Sequence, residues 1–324
     1  MVGDMVNEKQ KGLAYSIQSF LCNAGSLVGF LFPFIFTWIG ISNIAPQGVV
    51  PDSVIYSFYI GAAILILCVI YTTVKVKEMP PAEYAEYHGI TEEEKKEKIN
   101  MVKLLVKAPK AFWTVGLVQF FCWFAFMFMW TYTNGSVAAN VFDAPTVETV
   151  VNGASKIVLD TKSIQYQNAA DWVGVLFAVQ AIGSVLWAVC IPMFKNRKLI
   201  YSLSLVLGGI GFISTYFVHN QYVLFISFLL IGCAWAAMLA LPFTILTNAL
   251  SGGHMGTYLG LFNGTICIPQ IVAATLGGSI LALFTPKGML PPEINMLVMA
   301  GVMLIIGAVC VYLIKETKGE QAKA

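Results

Sequence analysis

The chain has 324 residues, 58% hydrophobic and only 11% charged, with a net charge of +2 and a mean hydropathy of +0.76. A soluble domain is about 45–50% apolar and about 25% charged, so a water-facing surface cannot carry this excess. The composition is that of a polytopic membrane protein, and the even balance of 19 basic and 17 acidic residues excludes a nucleic-acid partner, which requires a concentrated basic face.

About 20 apolar residues cross the hydrocarbon layer as a helix. Eight such runs are predicted, at 15–38, 55–74, 113–133, 172–193, 199–218, 222–247, 257–284 and 294–313. The opening residues 1–7 carry an acid where a cleavable signal would carry bases, which argues against one. The first span holds Ser19, Asn23 and Ser26 at offsets of four and seven, beside the small pair Gly25 and Gly29 and ahead of Pro33. Hydrogen bonding between helices accounts for these residues, and a solute contact through Asn23 is the alternative.

After the second span, the connection 77–110 is charged, with Thr91 and Glu94 forming a capping-box pattern ahead of 95–107. A short helix lying along the membrane face is expected there. On the third span Gln119, Trp123, Trp130 and Asn134 are spaced by 4, 11 and 15 residues and so fall near one helix face. Indole rings pack against the apolar faces of sugars and amides satisfy hydroxyls, so this stripe suits a neutral polyol. Trp130 and Asn134 are equally explained by an interfacial belt, and Gln119 and Trp123 by packing. The connection 134–171 is of mixed polarity, and its Asn134-Gly135-Ser136 sequon reads as accidental.

Gln180 in the fourth span, and Thr244, Thr247 and Asn248 beyond Pro242 in the sixth, are further polar candidates, whereas Trp187 and Trp235 read as core. In the seventh span Gly252, Gly256, Gly260 and Gly264 recur every four residues, a groove that lets a neighbouring helix approach closely. Asn263 and Gln270 share another face, and Pro269 between them cannot donate to the carbonyl of Thr265, so a kink lining a cavity is expected. The same residues would also serve as helix glue.

Lysine and arginine set the orientation. With the N-terminus in the cytoplasm, sixteen of the 19 lie on the cytoplasmic side, and only Lys156, Lys162 and Lys287 lie opposite. The positive-inside rule then puts both termini and the central loop in the cytoplasm. Apart from Asp171, at the mouth of the fourth span, no acid or base lies inside an apolar run, so no proton relay is visible within the spans. The seven cysteines fall in apolar runs and the three histidines in polar connections, a pattern that offers neither a metal site nor a cofactor site.

Several stretches resemble a known family. The segment Val2-Gly3-Asp4-Met5, through Glu8-Lys9-Gln10 to Ser16-Ile17-Gln18-Ser19-Phe20, is similar to the entry into the fifth helix of sucrose/proton symporter-like proteins of the major facilitator superfamily, in the glycoside–pentoside–hexuronide:cation symporter group. Val118-Gln119-Phe120-Phe121-Cys122-Trp123-Phe124-Ala125 resembles that family's seventh helix. Met255-Gly256-Thr257-Tyr258-Leu259-Gly260-Leu261-Phe262-Asn263, continuing to Ile268-Pro269-Gln270, resembles the loop into its eleventh.

The resemblance implies an all-α partial major facilitator fold. Residues 1–76 would be the last two helices of an N-terminal six-helix half, 77–111 the central loop, and 112–324 the C-terminal half. It implies an inner-membrane sugar:proton symporter for a small sugar, a glycoside such as a disaccharide, with H⁺ as the expected coupling cation and Na⁺ as the alternative. Gln119, Trp123, Asn263, Gln270, Gln180 and Asn23 would bind the sugar. The family's first four helices, and the arginine ahead of the Asp4 segment, have no counterpart in the sequence, so a truncated carrier is expected. The alternative is a membrane-embedded structural or assembly subunit without transport. A membrane enzyme is disfavoured because no buried cluster supplies an acid, base or nucleophile, and a channel because no filter motif appears.

Overall fold

A computed structural model describes residues 6, 10–41, 50, 52–77, 80, 83, 101–151, 154–250 and 255–314. The long elements are α1 (Lys11–Trp38), α2 (Asp52–Lys75), the short α3 (Met101–Val106), α4 (Lys110–Asn140), a hairpin of β1 (Thr146–Val151) and β2 (Ala154–Leu159), α5 (Ile164–Cys190), α6 (Arg197–Ser214), α7 (Leu224–Ala249), α8 (Met255–Phe262), α9 (Gly264–Phe284) and α10 (Ile294–Cys310). Among the described residues seven helices are long and apolar enough to cross a membrane. α1, 28 residues long, covers the first predicted span. The chain is a multi-pass membrane protein with a helical fold.

The third predicted span ends too early, because α4 runs on to Asn140. Its polar stretch stays helical by bonding back onto its own carbonyls: Ser136 Oγ donates to Tyr132 O at 2.7 Å and Asn140 Nδ2 to Ser136 O at 2.8 Å. The Asn134 sequon therefore lies inside a packed helix, with Ser136 buried. The rest of the 134–171 connection is not irregular. Its β-branched residues pair antiparallel from Thr146 opposite Leu159 to Val151 opposite Ala154, an addition to the all-helical expectation. Ser163 then caps α5, its Oγ accepting from Tyr166 N at 3.2 Å. Of the connection 77–110, α3 is described, tied to α8 by Tyr258 Oη donating to Leu104 O; its Thr91 and Glu94 capping pattern lies outside the described residues.

One continuous apolar core joins residues of α4 to α10, from Phe112 to Ile314. α1 docks on this body through Phe30 against Phe177 and Tyr15 against Phe243. α2 touches it little: 6% of its most apolar stretch is buried, against 67% for α7. Since lipid tails are as apolar as leucine, helices in a bilayer associate by close packing rather than by hydrophobic expulsion. The backbone approaches show where that packing is tightest. A Cβ on Gly183 would lie 2.5 Å from Leu229 O, one on Gly211 2.6 Å from Ser227 O and one on Gly301 2.7 Å from Gly209 O. α5 and α6 thus cross α7, and α6 crosses α10, at bare Cα atoms.

The predicted glycine groove is corrected by the same geometry. A Cβ added at Gly256 or Gly260 would have nothing within 4 Å, and one at Gly264 would meet only Ile268 of its own helix. Gly252 lies outside the described residues. The glycine repeat instead runs up to a joint within the predicted span, which extends from Gly256 to Phe284: α8 meets α9 at Asn263, which keeps helical dihedrals and whose N–H is shared between Leu259 O and Gly260 O. The joint falls at Asn263, flanked by Gly260 and Gly264 and six residues ahead of Pro269, where glycine and asparagine hold a helix less well than the apolar residues around them.

Candidate functional site

The polar interior is organised around α7. Pro242 sits inside that helix and has no N–H to give the carbonyl of Met238 four residues back. Gln119 of α4 supplies the missing donor, Nε2 to Met238 O at 3.0 Å. The side chain is fully buried and its Oε1 has no partner among the described residues. One turn further along α4, Trp123 meets Trp235 of α7 edge-on at 5.7 Å, and its buried Nε1–H is likewise unpaired. Trp130 and Phe126 complete an aromatic nest around Trp235, at 5.7 and 4.8 Å. Trp235, expected as simple core, is the hub of this group. Trp187, by contrast, donates to Ser204 Oγ and packs as expected.

A second polar group lies on another side of α7. Ser19 Oγ of α1 donates to Ala236 O at 3.4 Å, and Asn23 Nδ2 to Ser19 O at 2.7 Å, leaving Asn23 Oδ1 buried without a partner. Beside it, α5 passes Gly232 so closely that a Cβ there would overlap Gln180 O, and Gln180 Nε2 and Ser184 Oγ are buried and unpaired. At 100° per residue, Trp235 and Met238 lie within about 60° of each other on α7, Ala236 lies about 160° from Met238, and Gly232 lies about 60° from Trp235 and about 40° from Ala236. Gln119 and Trp123 are therefore brought together on one side of α7, Ser19 and Asn23 meet its opposite side, and Gln180, at Gly232, passes α7 between the two.

Asn263 and Gln270 join neither pair directly. Asn263 is exposed at the α8–α9 joint and Gln270 is half-buried. Their helix nevertheless packs on α4 one turn from Gln119, where Thr265 Cγ2 would come within 2.9 Å of a Cβ on Gly116. Below this point the rings of Tyr15, Phe243, Phe262 and Phe112 follow one another at 6.1, 5.9 and 5.6 Å, linking α1, α7, α8 and α4. Asn134 turns out to be a tie between helices, its Nδ2 donating to Tyr166 Oη at 2.9 Å. Thr244 and Thr247 bond back onto α7, while Asn248 Oδ1 is buried and unpaired.

The unpaired buried atoms of these two groups are two amide oxygens, an indole N–H, an amide N–H and a hydroxyl, all uncharged. A buried polar group without a partner is costly, and in a bilayer no water is at hand to relieve it. Donors and acceptors in near-equal number, set beside indole rings, fit a neutral polyhydroxylated ligand better than an ion. Among the described residues no three His, Cys, Asp or Glu side chains gather as a metal site. A carboxylate that sequence reading passed over, Glu293, lies at the hairpin end of the bundle, its carboxyl against Gly135 of α4. It was missed because it falls just outside an apolar run.

No match is found among curated proteins. In fold, the chain is similar to a crystal structure of the E. coli fucose:proton symporter FucP, in a form bearing an Asn-to-Ala substitution, with a TM-score of 0.60 at 14% identity over 98% of this chain and 72% of that one. The sequence profile of the Major Facilitator Superfamily matches residues 1–159 and, overlapping them, 138–324. With the two matches together spanning every residue, the chain belongs to the Major Facilitator Superfamily.

Proposed function

We propose that the chain works as a secondary carrier of a neutral sugar, a glycoside of disaccharide size, driven by H⁺ and of the sucrose/proton symporter-like type. The reading rests on one observation above all: uncharged hydrogen-bonding atoms of Gln119 and Trp123 lie buried and unpaired beside the Trp235 nest. The likeness in fold to a fucose:proton symporter supports the class of substrate and of coupling ion. In this reading Gln119 and Trp123 hold the sugar at one face of α7, Gln180 reaches it past Gly232, Asn23 contacts it from α1, and Asn263 with Gln270 from the α8–α9 joint.

Residues 1–76 belong to one half of the carrier, 77–111 to the linker and 112–324 to the six-helix half that rocks about the site. The lysine distribution supports an inner-membrane setting with both termini in the cytoplasm. Proteoliposome uptake tests the function. Radiolabelled disaccharide should accumulate when an inward proton gradient is imposed, and Asn263→Ala with Gln270→Ala should raise the apparent KM several-fold. Accumulation with an unaltered KM would remove the α8–α9 joint from the site, and uptake no greater than in empty vesicles would remove the function.

A further inference from the structure

Glu293 occupies the N-cap position of α10 without acting as a cap: its side chain accepts no hydrogen bond from the first turn. An acid at this position ordinarily stays ionised and bonds the free amides of the helix start, where the dipole favours its charge. Here Pro291 and Pro292 stiffen the approach, Glu293 N–H donates to Pro291 O at 2.9 Å, and the carboxyl turns away from the helix onto α4. It lies in a notch that exists only because residue 135 is glycine, since a Cβ there would overlap the carboxyl oxygens. One turn before Gly135, Tyr132 closes the place from the side, its Oη 2.5 Å from where a Cβ on Gly277 of α9 would stand. Three helices therefore converge on this one acid at the hairpin end.

The surroundings give a carboxylate little to bind. The titratable group facing it from α4 is Tyr132. Tyr216, in the turn after α6, lines the groove beside Asn295, two residues along from Glu293, α9 has only the exposed Cys267 as a titratable group, and Lys287 in the preceding loop is exposed. Among the described residues the carboxyl makes no ion pair, and burial alone pushes it up to about 7. A neutral acid fits the notch, whereas an anion must carry its desolvation cost there.

We propose that Glu293 and the Gly135 notch form a proton-binding clasp: as the neutral acid, Glu293 lies against α4 and holds the hairpin ends of α4, α9 and α10 together, and on giving its proton to water the carboxylate leaves the notch and these ends part. The ligand is the proton itself, bound in the half of the chain where sequence reading finds no carboxylate or basic side chain inside an apolar run. The clasp does not depend on the sugar reading, and its test uses no sugar.

The full chain in nanodiscs, with its seven native cysteines replaced, reports the opening through Leu297→Cys, a buried position one turn inside α10. Its rate of labelling by a thiol reagent is divided by that of Lys287→Cys in the exposed loop, which cancels the reagent's own pH dependence. The clasp predicts that this ratio climbs up to roughly tenfold for each pH unit until it levels off above about 7. It should stay low at every pH with Glu293→Gln and high at every pH with Gly135→Ala. Infrared difference spectra of the otherwise unaltered protein should lose a protonated-carboxyl stretch over the same range, and Glu293→Gln should lack that band. A labelling ratio that does not change with pH while Glu293 is present, or a carboxyl band that survives Glu293→Gln unchanged, overturns the proposal.

Discussion

Gln119 shows how much one side chain can be asked to do. Its amide N–H repairs the carbonyl that Pro242 leaves free, and its oxygen remains open to a ligand. Removing it strands Met238 O, so Gln119→Ala should cost about 1–3 kcal/mol in detergent unfolding. In a Pro242→Ala background the helix recovers its own donor, and the same substitution should cost close to nothing, a coupling that a double-mutant cycle measures. The glutamine and the proline are both plain in the sequence, but their partnership is not, because it needs two helices in register. Glu293 makes a second prediction at this scale. Burial raises its carboxyl from the ordinary 4.5 to about 7, so between these values the folded chain holds a proton that the unfolded chain has lost. Stability should therefore fall as pH rises from about 4.5 to about 7 and level off above. Thermal unfolding followed across this range should show the slope, and Glu293→Gln should abolish it.

Among the elements, the glycines separate tight crossings from loose ones. Gly232 of α7 lies so near the Gln180 and Ser184 backbone that any side chain must push α5 away. Gly232→Ala should lower stability by about 1–3 kcal/mol, the usual cost of overpacking. Gly256→Ala and Gly260→Ala, in open space, should instead leave it unchanged or raise it by about 0.5–1 kcal/mol through helix propensity. Their melting temperatures, compared side by side, decide which glycine row makes a helix crossing. A period of four glycines looks the same in a sequence whether a helix packs on it or not; the neighbour is the missing information. Spans were legible because length and apolarity alone decide them, while the extension of α4 to Asn140 was hidden by polar residues that turned out to satisfy themselves. The hairpin was hidden for a similar reason, since twelve residues of mixed polarity carry no span-length signal.

For the whole molecule, membrane class and helical build were readable because each depends on composition summed over many residues, and the superfamily was readable through the stretches that resemble it, such as those around Gln119 and Asn263. The site was readable only as a set of candidates. Gln119 and Trp123 stand together as their spacing along one helix implies, but the arrangement of Gln180 and Asn23 around α7, and Trp235 at the hub, are properties of packing that no single helix records. The central claim is that a neutral sugar sits against the half-buried indoles of Trp123 and Trp235, and sugar-dependent quenching of tryptophan fluorescence in nanodiscs tests it most directly. Saturable quenching by a disaccharide should appear, should be lost with Trp123→Phe and weakened severalfold with Gln119→Met, and should persist with Trp187→Phe, whose indole is already paired with Ser204. Quenching that survives Trp123→Phe but vanishes with Trp187→Phe, or no saturable response to any sugar, would contradict it.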